Sequence, residues 1–264
     1  MGRLFVLLGL PLVAMATVHY AKVEPCDEVV IKSAVSALVM EVDVGLEGHL
    51  LSGERVVHLD DRLDILELNN TKRAIVLLEK MYGINQEVAS SLDETLKRKE
   101  SYYHRLNPLR TASKTQKDNA YNTFIATKTQ YLATQEKLVS LEKQIMDMRY
   151  KRARLEESIR KKSLQVDQRY LYKLMVRVGD FVNPGSPLAK VADLRHAKLV
   201  VFLSPDEVEG LATKRLFLDD KASEYRIDKV WRVADEKFIS SYRAEISIDS
   251  PKGLLSKLIK VELK

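Results

Sequence analysis

Residues 38–59 read LVMEVDVGLEGHLLSGERVVHL, and residues 170–191 read YLYKLMVRVGDFVNPGSPLAKV. Overlaid at an offset of 132 positions, Val42, Leu50, Gly53, Val56 and Leu59 fall on Leu174, Val182, Gly185, Leu188 and Val191. An alternating apolar run leads into each copy, Leu38, Met40, Val42 and Val44 in the first and Leu174, Val176 and Val178 in the second. Period two is the signature of a half-buried strand. Glycine recurs because tight turns between short strands need backbone angles at which a Cβ is strained. Asn183-Pro184-Gly185 is a turn signal in its own right. Gly48 and Gly179 mark an earlier turn, with Glu47-Gly48 standing where the second copy has Gly179-Asp180, so one turn is displaced by a residue. The repeat predicts two similar strand units folded into one small β-module.

The two copies are separated by a long helical stretch. From Ala120, steps of four and three reach Phe124, Thr127, Tyr131, Thr134, Leu138, Leu141, Ile145, Met148, Arg152, Leu155 and Ile159, apolar at all but Thr127, Thr134 and Arg152. A heptad sustained this long predicts a coiled-coil seam. No glycine or proline interrupts it between Ser113 and Val178, and fifty helical residues extend about 75 Å. The preceding arm carries Ala74, Met81, Val88, Thr95 and Tyr102 at seven-residue steps, with Leu78, Leu92 and Leu106 on an adjacent row and Gly83 and Asn85 weakening it locally. Between the arms, Pro108 cannot continue a helix and Ser113 suits the N-cap of the next. Two antiparallel helices meeting at a tip near Asn107-Pro108 are expected.

The remaining stretches bound the class. Arg3 precedes an apolar or small run from Leu4 to Val18. Fifteen helical residues rise about 22 Å, against a hydrocarbon core about 30 Å thick. Ala14-Met15-Ala16 offers a cleavage site, and the segment serves equally as signal peptide or anchor. Either way the single positive charge before it directs the rest of the chain outward across the inner membrane. Cys26 is the one cysteine, so no intrachain disulfide can form, and Val23-Glu24-Pro25 before it is not the small apolar run of lipoprotein processing. Net charge is +6, but Lys and Arg alternate with Glu and Asp along most of the chain, as on a solvated helical face. Aromatics are 7% of residues and form no basic stacking platform, which disfavours nucleic acid.

After Asp193 short strands are expected at Leu199–Leu203, Leu216–Leu218, Arg226–Arg232 and Tyr242–Ile248, with a brief helix started by Ser204-Pro205. Such alternation suits a compact β-barrel, joined by an early strand around Val29–Ile31.

The split repeat resembles the two halves of a biotinyl/lipoyl domain, and its division by a helical insertion is similar to the membrane fusion protein (periplasmic adaptor, HlyD-like) family. The resemblance implies an α+β chain of elongated, modular form. A signal segment (1–22) and an N-terminal strand of the barrel (23–34) precede the first lipoyl-like half (35–60). A coiled-coil hairpin (61–168), the second half (169–194) and an adaptor β-barrel (195–264) follow. It implies no cofactor, because the insertion replaces the turn on which carrier domains present a modifiable lysine. Arg105, Leu106, Leu109 and Ser113 look like the family's tip motif for docking onto a TolC-like outer-membrane channel, with the serine closer to the second leucine than usual. The turn glycines of the lipoyl-like halves are Gly48, Gly53, Gly179 and Gly185. The implied partners are an inner-membrane transporter of ABC, major-facilitator or RND type, the channel, further copies of the chain, and the inner membrane through the N-terminal segment. The implied location is the periplasm of a Gram-negative bacterium. Because the chain ends soon after the last strands, a simpler adaptor of the kind paired with ABC or major-facilitator exporters is expected.

Catalysis has no candidate centre in the sequence. His19, His49, His58, His104 and His196 lack metal-ligand spacing, and no nucleophile elbow or phosphate loop occurs. Asp60-Asp61 and Asp219-Asp220 are explained by a helix start and turn chemistry. A non-enzymatic adaptor is therefore expected. The alternatives are a periplasmic coiled-coil scaffold without a transport role and a biotin or lipoyl carrier subunit.

Overall fold

The computed structural model describes residues 17–234, 240–249, 251 and 254–264. Most of the expected export segment, residues 1–16, lies outside them. Strands β1 (Val18–Lys32), β2 (Ala37–Val42) and β3 (Leu50–Leu59) precede two long helices, α1 (Arg62–Leu106) and α2 (Lys114–Lys162). Then come β4 (Ser163–Leu174), β5 (Phe181–Val182), β6 (Pro187–Leu203), the short helix α3 (Pro205–Val208), β7 (Leu216–Leu218), β8 (Lys221–Ala222), β9 (Lys229–Ala234), β10 (Tyr242–Asp249) and β11 (Leu258–Leu263). The architecture is mixed, with antiparallel strands carrying one long helical hairpin.

The repeat is visible in the strand register. In the β2–β3 pair Val39, Glu41 and Val42 face Leu59, His58 and Val57. In the β4–β6 pair Leu171, Lys173 and Leu174 face Val191, Lys190 and Ala189, the same three pairings 132 positions later. The halves also clasp each other. Val39 donates its N–H to the Asp180 carbonyl and accepts from Gly179 N–H, at 2.8 and 2.9 Å. Leu171 does the same with His49 and Gly48, at 2.9 and 2.8 Å. Residues of both halves fill one core, including Val39, Leu51, Val56, Leu59, Leu171 and Leu174.

Two expectations within the repeat need correction. Leu50, matched to the buried Val182, is 62% exposed, and Leu51 takes the inward place at 1%. The first half has one extra residue between Val42 and Gly48, where a 3₁₀ turn forms at Val44–Leu46, and one residue fewer between Leu51 and Gly53. The two changes cancel, so the offset is right on either side and wrong between. The alternating run also flips. Ala37 and Val39 are buried while Leu38 and Val44 are exposed, because a register shift between Val39 and Glu41 breaks the strict alternation.

A second core forms around Ala21, Val23, Leu199, Val201, Ile246 and Val261. β1 and β6 run through both cores as one antiparallel ladder, irregular between Pro25 and Asp27. β1 therefore starts at Val18, inside the stretch expected to be the export segment, and its Val18–Lys22 part pairs with β11. Its Asp27–Lys32 part pairs with the first portion of β6, beside the repeat core. The boundary expected at 194/195 lies within continuous β6, and 163–168, expected in the hairpin, belong to β4. β11 lies beyond the strands expected from the sequence, although its Ile259, Val261 and Leu263 alternate with Lys260, Glu262 and Lys264. The Asp219-Asp220 pair forms the two-residue turn between β7 and β8, both with positive φ, as a type I′ hairpin requires.

The helices pack as an antiparallel pair. Ala120, Phe124, Leu138, Leu141 and Ile145 of α2 are buried at the expected seam positions, while Arg152 is exposed. On α1 the seam runs one residue beyond the expected row. Ile75 and Ala89 are buried, whereas Met81, Val88 and Tyr102 are about half exposed. The neighbouring expected row, Leu78, Leu92 and Leu106, is half-buried. Glu67–Lys151, Lys72–Glu156 and Glu79–Arg149 pair across the helices at 2.7, 3.6 and 2.8 Å. Exposed pairs of this kind orient the helices more than they stabilise them.

Candidate docking site at the hairpin tip

The site is built by two helix ends. α1 stops where Pro108 follows Asn107, and Asn107 N–H donates to the Tyr103 carbonyl at 2.9 Å as the last helical bond. Leu109 N–H then turns back to the Leu106 carbonyl at 3.2 Å. α2 starts with a reciprocal capping box. Gln116 N–H donates to Ser113 Oγ at 3.3 Å and Ser113 N–H donates to Gln116 Oε1 at 2.9 Å. This local chemistry brings Arg105, Leu106, Leu109 and Ser113 to one end of the molecule. Arg105, Leu109 and Ser113 are exposed and Leu106 is half-buried. Ser113 spends its hydroxyl on the cap, so its first role is to fix the start of α2.

Beneath the tip lies a cluster absent from the sequence reading. The Tyr103 ring stacks on Phe124 at 6.1 Å and meets Tyr121 at 5.3 Å, tilted by 54°. Tyr103 follows the corrected α1 seam, seven residues after Leu96, so it locks the last turn of α1 against the first turns of α2. Residues 101–117 contain no Asp or Glu, yet hold Arg105, Arg110, Lys114 and Lys117. Neither Arg105 nor Arg110 has a side-chain partner among the described residues. That acid-free run was the available sequence signal. The tip thus presents leucine flanked by free cations on a rigid support, suited to a groove lined by carbonyls or carboxylates.

At the other end, β3 feeds α1 and α2 feeds β4. Asp64 accepts from Ser158 Oγ at 2.7 Å and pairs with Lys162 at 3.0 Å, both within the base. His58 Nε2 lies 3.3 Å from the buried Asp61. The Arg62 guanidinium and backbone amide hold the Asp60 carboxyl down at about 2. The turn glycines stand around the repeat core, with φ of +81° at Gly48, +100° at Gly53, +93° at Gly179 and +91° at Gly185. Gly48 and Gly179 are the two that donate across the halves. Among the described residues no group of three His, Cys, Asp or Glu could hold a metal ion, and no helix is long and apolar enough to cross a membrane.

No protein-family model and no curated protein matches the sequence. Solved structures do. MacA from Actinobacillus actinomycetemcomitans superposes with a TM-score of 0.62 at 18% identity, over 94% of this chain and 78% of that one. The membrane fusion protein Spr0693 from Streptococcus pneumoniae R6 superposes with a TM-score of 0.53 at 10% identity, over 94% of this chain and 97% of that one. The chain has the fold of a membrane fusion protein.

Proposed function

We propose that the protein is the periplasmic adaptor of a tripartite export or efflux system, coupling an inner-membrane transporter to a TolC-like outer-membrane channel. The observation that carries this is the hairpin, a rod of 45- and 49-residue helices that projects about 70 Å and ends in a rigid tip of leucines and free cations. In this reading the repeat core is a split biotinyl/lipoyl-like sandwich and the second core a small β-barrel. The N-terminal segment holds both at the inner membrane beside an ABC, major-facilitator or RND transporter, and Arg105, Leu106, Leu109 and Ser113 meet the channel.

Self-assembly is supported by apolar stripes left outside the hairpin seam. On α1, Leu77, Met81, Ile84 and Val88 are exposed at steps of four, three and four. On α2, Ile125, Leu132, Val139 and Met146 are exposed at steps of seven. In an antiparallel pair these heptad positions lie on opposite flanks, so α1 of one copy faces α2 of the next. Such a heterologous contact closes into a ring when its rotation returns to the first copy, and the many weak contacts of a ring sum to a firm assembly.

Photo-crosslinkers at positions 106 and 109, with position 140 as mid-helix control, test the bridge in cells. Tip-specific crosslinks to an outer-membrane channel are expected. Crosslinks confined to inner-membrane or periplasmic proteins, with the channel expressed, would overturn the bridge and leave a coiled-coil scaffold.

A further inference from the structure

The second core opens on one side into a cavity of about 1030 Å³, remote from the hairpin and unused by the adaptor reading. Its wall is apolar where Leu211, Leu216, Ile227 and Val230 reach it from the packed side. Its rim carries Lys214, Arg215, Arg226 and Arg232 against the single carboxylate of Glu224. Alternation along β9 sends Val230 and Arg232 to the cavity side, while Trp231, on the other face, stacks with Arg243 at 5.5 Å. Lys214 is held by the Glu207 carbonyl at 2.9 Å. The guanidiniums of Arg215, Arg226 and Arg232 have no hydrogen-bonding or ionic partner among the described residues.

Three guanidiniums without a partner among the described residues, and an oriented ammonium, around an apolar recess are matched by a ligand with a tail and an anionic head. Guanidinium forks bind phosphate or carboxylate with geometric specificity, and the volume suits a molecule the size of a single-chain lipid. We propose that this cavity is a binding site for a single-chain amphiphile with an anionic headgroup, a phosphate or carboxylate on an acyl or alkyl tail. The tail lies against Leu211, Ile227 and Val230, and the head rests among the arginines.

Calorimetric titration of the full chain, below the critical micelle concentration of each amphiphile, tests this with dodecyl phosphate, dodecyl maltoside and inorganic phosphate. Dodecyl phosphate is expected to bind one to one and at least about tenfold more tightly than either control, because each lacks one of the two recognition elements. Arg226→Gln with Arg232→Gln should weaken it about tenfold or more and leave the melting temperature unchanged, since both side chains are exposed. Equal affinity for dodecyl maltoside would reduce the site to a greasy surface and overturn the proposal. So would equal affinity for inorganic phosphate, or glutamine variants that bind like the parent.

Discussion

Leu138 and Val139 are neighbours in α2, 8% and 66% exposed, and substituting each separates hairpin stability from assembly. Leu138 fills the seam, so Leu138→Ala removes buried methyl groups and leaves a cavity, a loss of about 2–3 kcal/mol at the lower end of the core range because two helices can close up. Val139 has no such partner. Fully burying an aliphatic side chain is worth about 1.5–3 kcal/mol, of which about two thirds is still unrealised at this exposure. The four α2 stripe residues together offer about 3–6 kcal/mol of gross apolar gain per contact. Association entropy costs about 4–15 kcal/mol, so a single contact is weak and a closed ring is needed to populate it. Val139→Glu places a carboxylate in that contact and should raise the concentration for assembly by about tenfold or more. Thermal unfolding at low protein concentration and sedimentation velocity over a dilution series read the two effects. Leu138→Ala should lower the melting temperature, and Val139→Glu should leave it within about 1 °C while shifting sedimentation. If Val139→Glu assembles like the parent, or melts like Leu138→Ala, the stripe is not an interface.

Gly83 and Gly185 both have open space where a Cβ would go, but only Gly185 has a positive φ, +91°. Gly83→Ala should therefore stabilise α1 by about 1 kcal/mol, and Gly185→Ala should destabilise by about 1–2 kcal/mol, both read by denaturant midpoints. Tyr103→Ala should cost about 2–3 kcal/mol of local stability and cut tip crosslinking several-fold, while Tyr102→Ala, about half exposed, should change neither. Burial pushes the Glu207 carboxyl up, but the Ser204 amide, His19 and Thr17 outweigh it and hold it near 2, below its ordinary 4.5. Its stabilising contribution is thus complete above about 4.5 and lost as pH falls toward 2. Glu207→Gln should flatten the acid limb of the melting-temperature profile over that window; an unchanged limb would assign the acid loss to other carboxylates.

Much of this was legible in sequence because two periodicities dominate it. The α2 seam is uninterrupted, so its buried face follows from spacing alone. On α1, Ala74, Met81 and Val88 form an apolar row as regular as the seam through Ile75, Tyr82 and Ala89. Spacing cannot rank two apolar rows, and only the packed helices show which row is inside. The repeat fixed which strands correspond, yet a compensating insertion and deletion moved Leu50 outward. The proposed tip residues stand out only through family resemblance. Their support, Tyr103 on Phe124, joins residues far apart in sequence and had no local signal.

The junction between sheet and hairpin explains why the insertion sits where it does. β3 and β4 are paired up to His58 and Ser163, so the chain leaves and re-enters the sheet on adjacent strands. Adjacent strands lie about 4.8 Å apart, whereas packed helices need about 8–10 Å. The backbone must therefore splay within a few residues, and apolar packing cannot fill a wedge of changing width. Polar side chains line it instead: Asp64 spans to Ser158 and Lys162, while Asp60 folds back on Arg62 and Asp61 reaches His58 within the β3–α1 arm. The wedge is thus tied by a few polar contacts, while the seam above it and the repeat core below it are close-packed. Any change in the angle between hairpin and sheet is cheapest at this junction, because hydrogen bonds and ion pairs there can exchange with water without opening either core. A rod that must find a partner far from its base would be steered from residues 58–64 and 158–163, with its tip geometry preserved.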